Sequence, residues 1–254
     1  MTYCLGIMVE KGLVFAADSR TNAGVDQISS YQKLFDFSVP GERVVILCTA
    51  GSLSTSQSVL HKLEQDLKTG AEVNIHSLHS LHDVAGYIGS TMREIQDNDR
   101  PWLEKDGIGY QSSFLVGGQV KGEPPNLYLV YSQGNFISAT PETPFLQIGE
   151  TKYGKPILDR TIRSDSPLND VAKTALLSMD STMRSNISVG PPIDMVLYAT
   201  DALELRDRVQ FQADDPYLEK IREYWENALS EASKHLPLVE WNRIAVSVEP
   251  DVEA

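Results

Sequence analysis

The sequence is short of cysteine, of cationic excess and of long apolar runs, and each shortage removes a class of function. Cys4 and Cys48 are the two cysteines in 254 residues, so no disulfide framework staples the chain. Lys and Arg number 22 against 35 Asp and Glu, a formal charge of −13. A nucleic-acid binder needs a positive face, so this balance argues against nucleic acid as a partner. The apolar runs Leu13–Ala17, Val44–Cys48 and Met195–Ala199 are five residues long, whereas a membrane helix needs roughly 20. No membrane partner is therefore expected. Met1–Glu10 lacks the basic region of a secretory leader, so the expected location is cytoplasmic.

Common chemical signatures are also missing. There is no P-loop, dinucleotide glycine fingerprint, metalloprotease His-Glu helix or paired-cysteine zinc site, and no cofactor is expected. Asp97-Asn98-Asp99 resembles the start of a calcium loop, but Pro101 and Leu103 stand at later ligand positions. His76, His79 and His82 recur every third residue. On a helix such a set drifts about 60° per step, so it reads as a solvated face beside Leu78 and Leu81 rather than a metal cluster. Cys4 and Cys48 sit in apolar runs without the basic neighbour that makes a thiol nucleophilic.

What is present is an ordinary globular composition, 41% hydrophobic and 22% charged. A single domain over 1–254 is expected, with a core of about 2–212 and a C-terminal helix and tail of about 214–254. Thr2–Val9 and Leu13–Asp18 read as a hairpin turning at Glu10-Lys11-Gly12. Thr21-Asn22-Ala23-Gly24 reads as a turn, Ser29–Ser38 as a short strand and Glu42–Ala50 as a buried one. The period then becomes helical. Val59, Leu60, Leu63 and Leu67 share one face behind a Ser52 or Ser54 cap, and Leu78 to Ile95 form a second stripe. Strands are expected at Ser113–Val120 and Asn126–Tyr131, then over Phe136–Ile148 with a break at Pro141 and Pro144, and again at Asp194–Thr200 and Leu205–Gln212. Between these two groups lies a helix through Leu168, Val171, Ala175, Leu176 and Met179. Asp214-Asp215-Pro216 opens a last helix to about Leu236, and an apolar stretch follows at Ile244–Val248. Segregated strands and helices imply α+β, with helical layers on stacked antiparallel sheets.

One residue stands out chemically. Thr2 is small enough for Met1 to be trimmed, leaving a hydroxyl and a free α-amine on one residue. That pairing is a nucleophile–base unit, and an α-amine has a pKa of about 7.7–8.0. With the turn at residues 10–12, paired positions sum to 21 or 22, so Thr2 falls opposite Ser19 or Arg20 and beside Asp18. Lys33, on the next expected strand, is the candidate cation, with Asp18 to fix it. Gly51, between a strand and a helix, can offer an N–H to an oxyanion.

These residues carry a resemblance. Ala16-Ala17-Asp18-Ser19-Arg20, Lys33 and Thr49-Ala50-Gly51 resemble the proteasome β-subunits, as does Gln147-Ile148-Gly149-Glu150 followed by Tyr153-Gly154. Met1-Thr2-Tyr3-Cys4, Ser19 to Gly24 and Ser185 to Gly190 look like the bacterial branch called Anbu. The resemblance implies an N-terminal nucleophile hydrolase, a four-layer αββα sandwich with two stacked antiparallel sheets. It implies Thr2 as nucleophile, Asp18 and Lys33 as its activating pair and Gly51 as oxyanion donor, with Arg20 structural or rim-lining. The serine that β-subunits carry after Gly149 is here Glu150, and the aspartate before their later serine aligns with Ser185, leaving Ser188 as that serine. Ser185, Asn186 and Ser188 are then the candidates for support around the amine. The family further implies a peptide or small amide substrate and self-assembly into a ring or open spiral. The alternative is a catalytically weak or inactive assembly protein on the same fold.

Overall fold

The computed structural model describes residues 1–22 and 28–241. Residues 23–27, including Ala23-Gly24 of the expected turn, and the Ile244–Val248 stretch lie outside the described residues.

Two five-stranded antiparallel sheets form the centre. The first contains β1 (Tyr3–Val9), β2 (Gly12–Asp18), β10 (Phe145–Gly149), β11 (Ile193–Ala199) and β12 (Asp207–Phe211), in the order β10-β1-β2-β11-β12. The second contains β5 (Leu34–Asp36), β6 (Arg43–Gly51), β7 (Ser112–Val120), β8 (Asn126–Val130) and β9 (Phe136–Ser138), side by side in chain order. A two-stranded ribbon joins β3 (Arg20–Asn22) to β4 (Ile28–Ser30).

Side-chain alternation builds the layers. On β1 and β2, Leu5, Ile7, Val14 and Ala16 pack against Leu158, Val171, Ala175 and Met179, which lie on α3 (Lys155–Thr161) and α4 (Leu168–Ser185). Their neighbours Cys4, Leu13, Phe15 and Ala17 face the other way, onto Val44, Ile46 and Cys48 of β6. On β6 the intervening Val45 and Leu47 reach through to Val59, Leu63, Val84 and Ile88, on α1 (Leu53–Thr69) and α2 (Leu81–Lys105). Period-two strands buried on both faces thus yield three apolar layers between four structural ones, the expected αββα sandwich. This also explains the short unbroken apolar runs. Both cysteines are buried free thiols between the sheets.

Helix ends follow their caps. Ser52 accepts the N–H of Thr55, Ser80 that of Asp83, and Asp215 that of Tyr217 at the start of α5 (Pro216–Lys234). Several sequence expectations are corrected. Ser29–Ser38 is not one strand: β4 ends at Ser30 and β5 starts at Leu34, with Lys33 in the connection. Thr21 and Asn22, expected in a turn, belong to β3. Phe136–Ile148 does break at its prolines as expected, since Pro141 and Pro144 lack the N–H a continuous ladder needs, and its two ends join different sheets. The histidines do not share a helix face. His76 and His79 precede α2; the His76 Nε2–H donates to Phe37 O at 2.8 Å, and the His82 ring packs edge-on against Phe136. Asp97-Asn98-Asp99 lies inside α2, not in a loop.

Phe15 is fully buried between the sheets. Phe15→Ala should cost about 3–5 kcal/mol of stability, read as a lowered urea midpoint; an unchanged midpoint would contradict the inter-sheet core described.

Candidate active site

The β1–β2 hairpin sets the site. Its pairs, Cys4 with Ala17 and Leu5 with Ala16, sum to 21, so Thr2 projects beyond the last pair at the level of Ser19. On its other side β1 runs along β10, with Tyr3 opposite Gly149. Gly149 has φ +83°, and a Cβ there would run into the Thr2 carbonyl, so glycine is required. The N–H of Glu150 donates to that carbonyl at 2.7 Å. Thr2 is thereby pinned by main chain alone. Tyr3 pins the next residue. Its phenol is hydrogen-bonded to Ser178 Oγ at 2.7 Å and accepts Gln147 Nε2 at 2.6 Å, and burial pushes its pKa up to about 12.

Beneath Thr2 lies Asp18, 1% exposed. Oδ1 accepts the Tyr3 N–H at 2.9 Å and Lys33 Nζ at 2.8 Å, and Oδ2 accepts the Gly190 N–H at 3.2 Å. Burial pushes the Asp18 pKa up; the Lys33 ammonium and the main-chain N–H donors pull it back. Lys33 is buried and also donates to Arg20 O at 2.5 Å. Its own carbonyl accepts the Thr49 N–H at 3.0 Å, so the β5–β6 ladder sets its depth although it stands outside the strand. Arg20 makes a structural contact: its Nη1 donates to Ile187 O at 2.7 Å and ties down the 186–190 segment.

Thr2, Lys33 and Gly51 line one cleft of about 560 Å³, together with Met1, Thr21 and Gly149. Gly51 has φ +109°, and a Cβ would strike Gln111 O. Its glycine identity is therefore explained by the backbone, and its place just before α1 adds the positive end of a helix. A larger cavity, about 610 Å³, lies between α4 and β11–β12, but neither Thr2, Lys33 nor Asp18 borders it. The cleft that gathers the reactive groups is the better site. Among the described residues no group of three or more His, Cys, Asp or Glu could hold a metal, and no helix is long and apolar enough to cross a membrane.

Ser185 is not brought in. Ser185 is exposed at the last position of α4, and Ser188 is half-buried with its N–H on Asn186 Oδ1 at 3.0 Å. Asn186 is buried, its Nδ2 donating to Glu150 Oε2 at 3.0 Å and lying 3.8 Å from Met1 Sδ. Asn186 is the C-cap of α4, and the helix end turns it inward past the exposed Ser185.

With this geometry in view, known proteins place the chain. A family model for the proteasome subunit matches residues 2–197. The chain belongs to the proteasome-subunit family. Solved structures narrow this to its Anbu branch. Anbu from Yersinia bercovieri is 41% identical with a TM-score of 0.89, over 95% of this chain and 100% of that one. The helical assembly of the Anbu complex from Pseudomonas aeruginosa gives 44% and 0.90, over 95% and 100%. Anbu from Hyphomicrobium sp. strain MC1 gives 43% and 0.86, over 94% and 99%. No curated protein sequence matches.

Replacing Lys33 tests the electrostatics. In Lys33→Met, Asp18 keeps its burial and loses its cation, so its pKa rises further. A carboxyl whose folded pKa exceeds its unfolded value, about 3.9, is stabilising below the unfolded value and loses that contribution as pH rises through the folded one. The variant should therefore lose stability between about pH 4 and neutrality more steeply than the parent chain, measured as urea midpoints. Parallel pH profiles would contradict the pairing.

Proposed function

We propose that the chain is an N-terminal threonine hydrolase that cleaves a peptide or small amide bond through an acyl-ester on Thr2. The observation that carries this reading is the convergence of Thr2, Lys33 and Gly51 on one cleft over the buried Asp18. Met1 is 65% exposed and thus open to an aminopeptidase. Its removal frees the α-amine.

The amine then takes the Oγ proton while Oγ attacks the substrate carbonyl carbon. The oxyanion forms at the Gly51 N–H, where a fixed dipole needs no reorganisation. The amine passes its proton to the leaving nitrogen, the C–N bond breaks and the acyl-ester remains. Water, deprotonated by the same amine, then cleaves the ester and restores Thr2. Lys33 lowers the cost of negative charge on Oγ, and Asp18 holds Lys33 in place. Thr2→Ala should abolish hydrolysis of a fluorogenic peptide, with Thr2→Ser retaining part of it. Lys33→Ala should lower the rate about 10²-fold or more. Near-normal turnover in Thr2→Ala would overturn the assignment.

The second part of the reading is assembly with copies of the same chain. The relative from Pseudomonas aeruginosa is described as a helical assembly. Here α5 leaves Tyr224 77% and Leu229 51% exposed. Beside them lies a groove of about 430 Å³, lined by Leu177, Ile221 and Trp225 among others. Buried Leu218 and the Arg222–Asp180 pair hold the helix to α4, so its outer stripe is a firm surface. A second copy covering it would bury aromatics of the kind enriched at interfaces. Light scattering should find a large particle, and Tyr224→Ser with Trp225→Ser should shrink it. A particle of one chain's mass across micromolar concentrations would contradict assembly.

A further inference from the structure

Glu150 is a buried carboxyl group, 7% exposed, to which the mechanism above gives no role. Its N–H holds the Thr2 carbonyl, so the residue is tied to the nucleophile's own backbone. Its side chain meets Asn186 near the N-terminus: Oε2 accepts the Asn186 amide, and the same amide nitrogen lies 3.8 Å from Met1 Sδ. The carboxyl group and the residue to be removed therefore meet at one side chain.

A buried carboxylate is costly unless a cation or several donors compensate it. Its side-chain hydrogen-bond partner, Asn186, is neutral. Asp18, by contrast, is matched by Lys33 and main-chain N–H groups. Removal of Met1 creates a cation, the α-ammonium of Thr2, on the residue whose carbonyl the Glu150 N–H holds.

We propose that Glu150, held by Asn186, is the counter-ion and positioning residue of the Thr2 α-amine. This rests on the reading of Thr2 as an N-terminal nucleophile. When the amine takes the Oγ proton it becomes an ammonium in a cleft that already holds the Lys33 charge. Glu150 offsets that like-charge repulsion, as the buried aspartate of a serine triad stabilises its imidazolium. The other charged groups of the neighbourhood are Lys33, which lines the cleft, its partner Asp18, and Arg20, whose guanidinium is tied to Ile187 O.

The test uses full-length protein lacking Met1, with ¹⁵N-threonine to follow the amine by NMR. Glu150→Gln removes the charge and keeps an oxygen for Asn186. An opposite charge nearby shifts a pKa by about 1–3 units, so the amine midpoint should fall by about one pH unit or more in this variant. The acidic limb of kcat/KM should move down with it. Glu150→Asp keeps the charge on a shorter arm and should leave the midpoint between the two. An amine midpoint unchanged in Glu150→Gln overturns the inference, even if turnover falls. The titration needs no substrate: a shifted midpoint in a protein without turnover supports the counter-ion and sinks the hydrolase reading alone.

Discussion

The buried Asp18 carboxylate is the point on which the site depends. It takes the Tyr3 N–H from β1, the Lys33 ammonium from the β4–β5 connection and the Gly190 N–H from the segment after α4. Three stretches far apart in the chain are thereby fixed to one side chain, each by a hydrogen bond to a group that burial would otherwise penalise. Removing the cation would leave a buried charge, which is costly, so the pair resists change for reasons of folding as well as chemistry. That is why a test on Lys33 has to separate rate from stability.

The layers explain why these stretches meet. β1 and β2 are buried on both faces, one against α3 and α4, the other against β6. Their register cannot slip by one residue without exchanging Leu5 and Ile7 for Cys4 and Gly6 across the sheet. Thr2 is therefore held at one height, and Gly149 allows β10 to approach it closely. The second sheet brings Lys33 and Gly51 to the same edge, through β5 and β6. The cleft is the place where both sheets end together.

Sequence reading succeeds where constraints are local. The hairpin register follows from its turn, which is why Thr2 and Asp18 are found together, and the helix caps at Ser52 and Asp215 follow from residue chemistry. Gly51 is likewise visible as a junction between strand and helix. Lys33 is found for a partly wrong reason: it is buried by its ion pair and not by strand alternation, which single-residue patterns cannot distinguish. Ser185 is chosen by alignment to a family pattern, yet the end of α4 turns it to solvent and turns Asn186 inward. Glu150 has a plain residue type and a partner 36 positions away, so no local signal marks it as buried. The histidine triplet misleads for the opposite reason, since its spacing is regular while its backbone is not helical throughout.

Covalent trapping tests the central claim most directly. An epoxyketone forms a stable ring only with a hydroxyl and an α-amine on the same residue, so it reports both requirements at once. Tandem mass spectrometry of the treated protein should find the adduct on Thr2, at an N-terminus without Met1. An adduct at another residue, or unmodified Thr2 in protein whose Met1 has been removed, would contradict the account.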